Sequence, residues 1–201
     1  MLQCDTEPPS DRHRRMIDEA EKSCAQLVAL IAALSEVGKI DDGEITMSRR
    51  KVNLFPLVAE AAEGVPGAEE RDVRLEVRGG DGGAEMSGDE ERLRAAFRAI
   101  FHAILREEPG PCTIVADRRL VRDGARSSAV IVVAEEADVQ TAYEATAGAF
   151  DEQRGGVGLS LALARRVIEA HGGRLWSPDL PDPRAARRAA LIALPLLPPG
   201  S

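Results

Sequence analysis

The amino-acid sequence predicts an α+β fold in which helices pack on one face of a mixed β-sheet, preceded by one long helix. Two patterns carry this prediction. Short segments that alternate apolar and polar residues are mixed with amphipathic helical segments, without the regular strand–helix alternation of a parallel sheet. An apolar repeat of three and four residues runs through residues 17–34. The length of 201 residues fits one ordinary domain with a short additional element.

Composition excludes several classes of protein. The chain has 26 basic and 34 acidic residues, and its formal net charge of −8 argues against a surface for nucleic acid. Its 3 cysteines lack a Cys-x-x-Cys spacing, which predicts no metal site and no disulfide framework. Residues 1–10 are expected to be a flexible leader, and the longest apolar run is too short for a bilayer. We therefore expect a cytoplasmic protein without membrane insertion.

The long helix is predicted from Asp11 to Val37, and residues 11–50 comprise this helix and a linker. An apolar stripe with heptad spacing lies along it, formed by Ile17, Ala20, Cys24, Leu27, Ile31 and Leu34. Soluble monomers rarely expose a stripe of this size, so something has to cover it. Two explanations are open: the helix packs on its own domain, or it forms a dimer interface.

The remaining elements follow within a domain of residues 51–201. Helices are predicted over residues 56–63, 89–106 and 159–170, and strands over 73–78, 84–87, 113–116, 129–134, 174–177 and 189–194. The glycine-rich residues 79–83 are expected to join the first two strands in a hairpin. Residues 135–155 are acidic and aperiodic, which predicts a long loop or a weak helix. Arg184, Arg187 and Arg188 form a small basic cluster, interpreted either as a solvated turn or as a contact for an acidic partner.

The most specific motif is a group of glycines that leads directly into a helix, Gly155-Gly156-Val157-Gly158-Leu159. Free backbone N–H groups and the helix dipole make such a helix start suitable for an anion. The helix ends at His171-Gly172-Gly173, where we expect His171 to be structural and Gly172 to be a left-handed C-cap. This run closely resembles the second glycine box of histidine kinases and related GHKL ATPases.

Further segments are similar to the same family, in collinear order, over residues 14–197. Residues 88–93 resemble the start of the N-box helix, and residues 149–153 resemble the F-box. Residues 173–196 resemble the last two strands, and residues 25–43 resemble the second helix of the dimerisation domain. The resemblance implies a Bergerat-type (GHKL ATPase-like) α/β sandwich preceded by a dimerisation-type helix.

The resemblance also implies a nucleotide-binding site. The residues of the N-box helix differ from the family pattern for this site. An active kinase has a magnesium-binding Asn there, with a polar partner four residues earlier. The alignment without gaps places Ala103 and Ala99 at these positions, and Arg106 at the position of the basic phosphate contact. A shift of one residue gives His102 and Arg98 instead. Neither alignment supplies the oxygen ligand that Mg²⁺ requires.

The first glycine box departs as well. The family pattern Asp-x-Gly-x-Gly is expected after the strand, where this chain has Ala134, Glu136 and Asp138. Ala134 would replace the carboxylate that accepts the adenine amino group, and the two acidic residues would bring negative charge near the phosphates. The predicted vestigial site is completed by three residues of the second box, Gly156, Gly158 and Leu159. We expect it to bind ATP and Mg²⁺ weakly or not at all.

The phosphoacceptor motif of the family, His-Glu-x-x-Thr-Pro, is missing, and His13 is a weak candidate for the phosphorylated histidine. The sequence therefore favours a degenerate histidine kinase-like module of two-component signalling, with a regulatory or docking role and no catalytic residues. The partners that the resemblance implies are a second copy of the chain, a partner histidine kinase or a response-regulator receiver domain. Two alternatives stay open: an active ATP-binding kinase or ATPase with substituted site residues, and a histidine phosphotransfer protein.

Overall fold

The computed structural model describes residues 11–41, 47–63, 65, 72–80, 84–123, 126–154 and 159–198. The helices are α1 (Asp11–Asp41), α2 (Leu54–Glu63), α3 (Glu90–Glu107), α4 (Val139–Glu144), α5 (Ser160–Ala170) and α6 (Pro183–Arg187). The strands are β1 (Arg50–Asn53), β2 (Val73–Gly79), β3 (Glu85–Gly88), β4 (Cys112–Asp123), β5 (Arg126–Glu135), β6 (Ala147–Gly148), β7 (Arg174–Pro178) and β8 (Ala190–Pro195). The predicted leader, residues 1–10, lies outside the described residues.

The strands form a six-stranded sheet in the order β2-β4-β5-β8-β7-β6 and a two-stranded sheet of β1 and β3. Strands β2 and β4 are parallel, whereas every other neighbouring pair is antiparallel. The predicted mixed sheet with helices packed against it is therefore confirmed, and the protein is an α+β sandwich preceded by a long helix.

The predicted hairpin between the second and third strands is wrong. Strand β3 pairs with β1, with Val52 opposite Met86, and both of these side chains are buried in the main core. Strand β2 pairs with β4 instead and ends at Gly79. Gly79 has a φ of +99°, and a Cβ placed there would lie 2.2 Å from the carbonyl oxygen of Arg118. A local turn signal marks where a strand ends, but it does not choose the strand's partner.

Helices α2, α3 and α5 lie on one face of the sheet, which we call the inner face. The main core lies there, and its fully buried side chains include Phe97, Phe101, Ile131, Ile168 and Ile192. The opposite, outer face carries a smaller cluster, in which Val132, Ala134, Ala142, Ala189 and Leu191 pack together. Helix α4 covers this cluster, so the prediction that helices pack on one face only is wrong. The sequence predicted a loop or weak helix in this region.

Helix α1 meets the sandwich near its C-terminal end, where Ile40 packs against the main core beside α5. All residues of its predicted apolar stripe are exposed: Ile17, Ala20, Cys24, Leu27, Ile31 and Leu34. Leu27 is 59% exposed and Ile31 is 67% exposed. The stripe therefore does not pack on its own domain. Among the described residues, no helix has the length and apolar character needed to cross a bilayer.

Candidate functional site

The start of α3 is fixed by a buried histidine from the end of α5. The Asp89 backbone N–H donates to His171 Nε2 at 2.9 Å, and His171 Nδ1 lies 2.7 Å from the carbonyl oxygen of Val167. This pair of contacts requires a neutral ring with the proton on Nδ1. Burial lowers the pKa of His171, which favours the same neutral form. The expectation that His171 is structural is confirmed.

The two glycines after His171 end α5 in the predicted left-handed cap. Gly172 has a φ of +75°. Its N–H donates to the carbonyl of Glu169 at 2.8 Å, and the Gly173 N–H donates to the carbonyl of Ile168 at 3.0 Å, which is the pattern of a Schellman motif. A Cβ on Gly173 would lie 2.5 Å from the carbonyl oxygen of Ala193, so only glycine fits between α5 and β8.

The same junction holds the linker that follows α1. The Asp89 carboxylate caps α3 by accepting from the Arg92 N–H at 3.2 Å, and it also accepts from the Ser48 N–H at 3.0 Å. Arg49 Nη2 donates to the carbonyl of Ala170 at 2.6 Å. The chain entering the sandwich is thus bound both to the start of α3 and to the end of α5.

The N-box positions on α3 face inward in the alignment without gaps. Ala103 is buried in the main core, and the half-buried Ala99 packs against that core. Ala99 also lines a cavity of about 260 Å³ between α3 and α5. His102 and Arg98, which a shift of one residue would select, are exposed. The two inward positions therefore carry methyl groups, which cannot ligate Mg²⁺.

The last two residues of β5, Ala134 and Glu135, face opposite sides of the sheet. Ala134 faces the outer side of the sheet, where it packs with Ala142 and Leu191. Because side chains alternate along a strand, Glu135 follows Ile131 and Val133 on the inner side. A carboxylate is thus present at this end of the inner face, although Ala134 does not supply it.

The residues after Glu135 turn toward the outer face. Glu136 pairs with Arg78 at 2.6 Å, on the side of β2 opposite the core-facing Leu75 and Val77. Glu136 therefore contacts Arg78 on the outer side of the sheet, and the expectation that it brings negative charge near the phosphates stays a prediction. Asp138 occupies the N-cap position of α4 without a side-chain capping bond.

Helix α4 is fastened to the outer face through its tyrosine. Tyr143 Oη donates to the carbonyl of Asp117 at 3.1 Å, and the Arg119 guanidinium stacks 3.7 Å from the Tyr143 ring centroid. Burial raises the pKa of Tyr143, so the phenol remains a neutral donor. Helix α4 thus packs on the side of the sheet opposite α3 and α5.

An ion-pair cluster lies where α3 and β5 end. Arg188 Nη1 is 2.9 Å from Glu108 Oε2 and 3.7 Å from Glu135 Oε2. The Glu108 side chain is only 1% exposed. Burial raises the pKa of Glu108, while its contact with Arg188 opposes this shift. Cys112 lies beside the cluster, and burial followed by the nearby Glu108 charge raises its pKa to about 11, so its thiol is protonated.

A buried arginine holds the neighbouring F-box segment, defined here as residues 149–154. Arg154 is 3% exposed and donates to the carbonyls of Arg187 and Ala189 at 2.7 and 2.8 Å and to the Ser177 hydroxyl. Its guanidinium stacks 4.3 Å from the Phe150 ring centroid. Burial lowers the pKa of Arg154 to about 10, which leaves it charged at neutral pH. The F-box segment is thereby attached to β7 and to the residues before β8.

The other predicted site residues are scattered. Gly156 and Gly158 lie outside the described residues, and Leu159 immediately precedes α5. Arg106 is exposed in the last turn of α3, and His13 is exposed on α1. Among the described residues, no group of three His, Cys, Asp or Glu side chains could hold a metal ion.

Sequence reasoning missed Glu108, Glu135 and Arg154, and it interpreted Arg188 only as part of a solvated turn or a partner contact. Strand alternation through Ile131 and Val133 was the one available signal, because it places Glu135 on the inner face. Nothing local to Glu108 or Arg154 distinguishes either residue from a surface charge.

The fold described above is shared with solved histidine kinase structures. In comparisons of structure, the chain is similar to full-length ShkA, crystallised in complex with AMPPNP, over 94% of this chain and 40% of that one, with 16% identity and a TM-score of 0.67. It is similar to the Acinetobacter baumannii histidine kinase AdeS over 96% of this chain and 87% of that one, with 11% identity and a TM-score of 0.58. The mycobacterial sensor histidine kinase MprB matches 75% of this chain and 99% of its own, with 22% identity and a TM-score of 0.53.

In comparisons of sequence, no protein-family model matches the chain. It is 26% identical over 171 residues to the sensor protein DivL of Caulobacter vibrioides, covering 82% of this chain. The chain spans 21% of the length of DivL. The protein therefore has the fold of these histidine kinase structures, which is the fold that its motifs predicted.

Proposed function

We propose that the protein is a degenerate histidine kinase-like module of two-component signalling, which acts by regulation or docking and does not autophosphorylate with ATP. The observation that carries this proposal is the pair of inward-facing alanines, Ala103 and Ala99, on α3. A methyl group has no lone pair, so these positions cannot hold the hard Mg²⁺ ion that accompanies ATP. The partners are proposed to be a second copy, a partner histidine kinase or a receiver domain.

The acidic position of the site gives further support. Glu135 lies on the inner side at the end of β5, directly after Ala134, the position at which the resemblance expects the carboxylate that binds adenine. Its carboxylate is 3.7 Å from the Arg188 guanidinium, which already shares a closer contact with Glu108. A base would have to compete with this ion pair for Glu135. Hydrogen bonds to charged groups are worth about 1.5–3 kcal/mol, so the loss would weaken nucleotide binding substantially.

The exposed stripe of α1 supports the proposal of a homodimer. Its large apolar members, including Leu27, Ile31 and Leu34, are each at least half exposed in the single chain. Val28 and Met16 widen the same exposed surface. Apolar surface of this extent is favourable to bury, by about 25 cal/mol per Å². A second helix of the same kind, from another copy of the chain, would cover it with matching heptad spacing.

Calorimetric titration of the full chain with Mg-ATP tests the proposal, with an ATP-binding histidine kinase domain as the positive control. We expect no saturable binding below millimolar concentration, with or without Mg²⁺. A micromolar dissociation constant would contradict the proposal and support the active kinase or ATPase. In a second experiment, the protein is incubated with labelled ATP. An acid-labile phosphate label that is lost in His13→Ala would instead support the phosphotransfer alternative.

A further inference from the structure

Two consecutive arginines connect four carboxylates from three parts of the chain. Arg188 contacts Glu108 at 2.9 Å and Glu135 at 3.7 Å. Arg187 contacts Glu107 at 3.5 Å and Asp151 at 3.4 Å. Glu107 and Glu108 stand at the end of α3, Glu135 at the end of β5, and Asp151 in the F-box segment. The end of α6 thus connects the three segments that surround one end of the inner face.

The contacts differ in burial. The Arg188 side chain is 22% exposed and faces the 1% exposed Glu108 carboxylate, so this pair is shielded from water. Arg187 is 51% exposed, and its contacts with Glu107 and Asp151 are partly screened. Breaking a buried pair is costly because it leaves an uncompensated charge. The Glu108–Arg188 pair is therefore expected to contribute most of the stabilisation. The more exposed contacts of Arg187 orient the side chains of Glu107 and Asp151.

The F-box segment also binds the backbone on both sides of Arg188. Arg154 donates to the carbonyls of Arg187 and Ala189, on either side of Arg188. The Asp151 side chain therefore contacts the Arg187 side chain, and the Arg154 side chain contacts the backbone of Arg187 and Ala189. Phe150, stacked against Arg154, is itself 8% exposed. The F-box segment and the arginine pair each depend on the other for their position.

We propose that Arg187 and Arg188 form a clasp that holds the F-box segment against the ends of α3 and β5 without a ligand, so that this end of the vestigial site has one closed conformation. This inference rests on the proposed function, because a site that binds no nucleotide has no ligand to order the surrounding segments. The clasp provides that order from within the chain.

Hydrogen exchange of the ligand-free full chain, followed by mass spectrometry, tests the clasp. Arg187→Gln with Arg188→Gln removes both charges and retains polar side chains. We expect amide exchange in the F-box segment to become about tenfold faster or more. Arg184→Gln, on the same helix α6, is the matched control and should leave the rate unchanged. Arg187→Lys with Arg188→Lys keeps both charges and should retain most of the protection.

Unchanged exchange in the Gln double variant, or an equal acceleration in Arg184→Gln, would overturn the clasp. If the Gln double variant unfolds, which fast exchange in residues 96–105 of α3 would reveal, Asp151→Asn decides. Asn retains the acceptor for the Gln153 N–H but loses the charge that faces Arg187. Faster exchange confined to the F-box segment then supports the clasp, and unchanged exchange overturns it.

The two proposals fail separately. Tight binding of Mg-ATP to the unmodified chain would contradict the proposed function, while exchange in the ligand-free variants would still report on the clasp. Conversely, an absence of ATP binding together with unchanged exchange in the variants would leave the proposed function intact and overturn the clasp.

Discussion

Helices α1 and α5 lie beside each other and carry the same kind of apolar pattern, but opposite environments surround their apolar side chains. On α5, the side chains of Leu161, Ala164, Val167 and Ile168 are buried in the main core. On α1, the stripe residues from Ile17 to Leu34 are exposed. The comparison shows that a repeat of three and four residues predicts an apolar face but does not say what covers that face. On α5 it is covered within the chain, and on α1 we propose that it is covered by another chain.

The C-terminal ends of α1 and α5 also differ in how they are connected to the sandwich. Helix α5 ends in a complete hydrogen-bonded cap, in which His171, Gly172 and Gly173 connect it to α3 and β8. Among the described residues, Ile40 of α1 packs against the main core, and Ser48 and Arg49 of the following linker bind to α3 and α5. The sandwich is therefore expected to keep its stability when the α1 stripe is altered.

The largest effect is expected from charges placed in the α1 stripe. Leu27→Glu with Ile31→Glu should convert a dimer into a monomer, because each charge would be buried without a partner. A loss of about 4 kcal/mol raises the dissociation constant roughly a thousandfold. Light scattering across a concentration series measures this directly.

The control for this experiment is Arg15→Glu with Glu19→Lys, which exchanges charges on the opposite side of α1 and should leave the dimer intact. A monomeric unmodified protein, or a dimeric Glu double variant, would show that the stripe is not the interface.

A smaller effect is expected from one substitution made on each helix. Ile168 of α5 is fully buried, so Ile168→Ala should lower the free energy of unfolding of the sandwich by about 2–5 kcal/mol. Ile31→Ala makes the same change on the exposed stripe of α1 and should alter sandwich unfolding by no more than about 0.5 kcal/mol.

Denaturant unfolding followed by the fluorescence of Trp176, the single tryptophan of the chain, measures both variants in the sandwich. Equal losses for Ile168→Ala and Ile31→Ala would contradict the comparison, because they would mean that α1 and α5 contribute alike to the sandwich.

The smallest effect is expected from protonation of His171 at the end of α5. Burial lowers the pKa of His171 below its ordinary value of 6.5, so the unfolded chain takes up this proton before the folded chain does. The neutral ring therefore contributes stability above pH 6.5, and that contribution declines as the pH falls from 6.5 toward the folded-state pKa. Asp89, Arg49 and Arg92 are the charged groups that act on the ring.

In the unmodified chain, the free energy of unfolding should decrease as the pH is lowered from 7.5 to 5.5. This dependence on pH should be weaker in His171→Ala. His102→Ala, at an exposed position of α3, is the matched control and should keep the slope. An unchanged slope in His171→Ala would show that His171 is not the titrating group.

The local sequence pattern was sufficient to predict much of the secondary structure and the helix cap that the motifs contain. The 3.6-residue repeat predicted α3 and α5 to within a residue or two, and the Gly172 cap followed from its neighbours. The alignment without gaps predicts Ala103 and Ala99 as the vestigial N-box positions, and this stays a prediction. Their inward orientation is what the structure adds.

By itself, the sequence determined where α2, α3, α5 and most of the strands of the large sheet lie and which residue types stand at the motif positions, because these depend on near neighbours. Only the tertiary structure decided that β3 pairs with β1, that Glu135 rather than Ala134 faces the inner side, and that Arg188 reaches Glu108 from 80 positions away. Strand pairing and long-range ion pairs join residues that are distant in the chain. Many pairings are compatible with the same local pattern, and the packing of the whole domain selects among them.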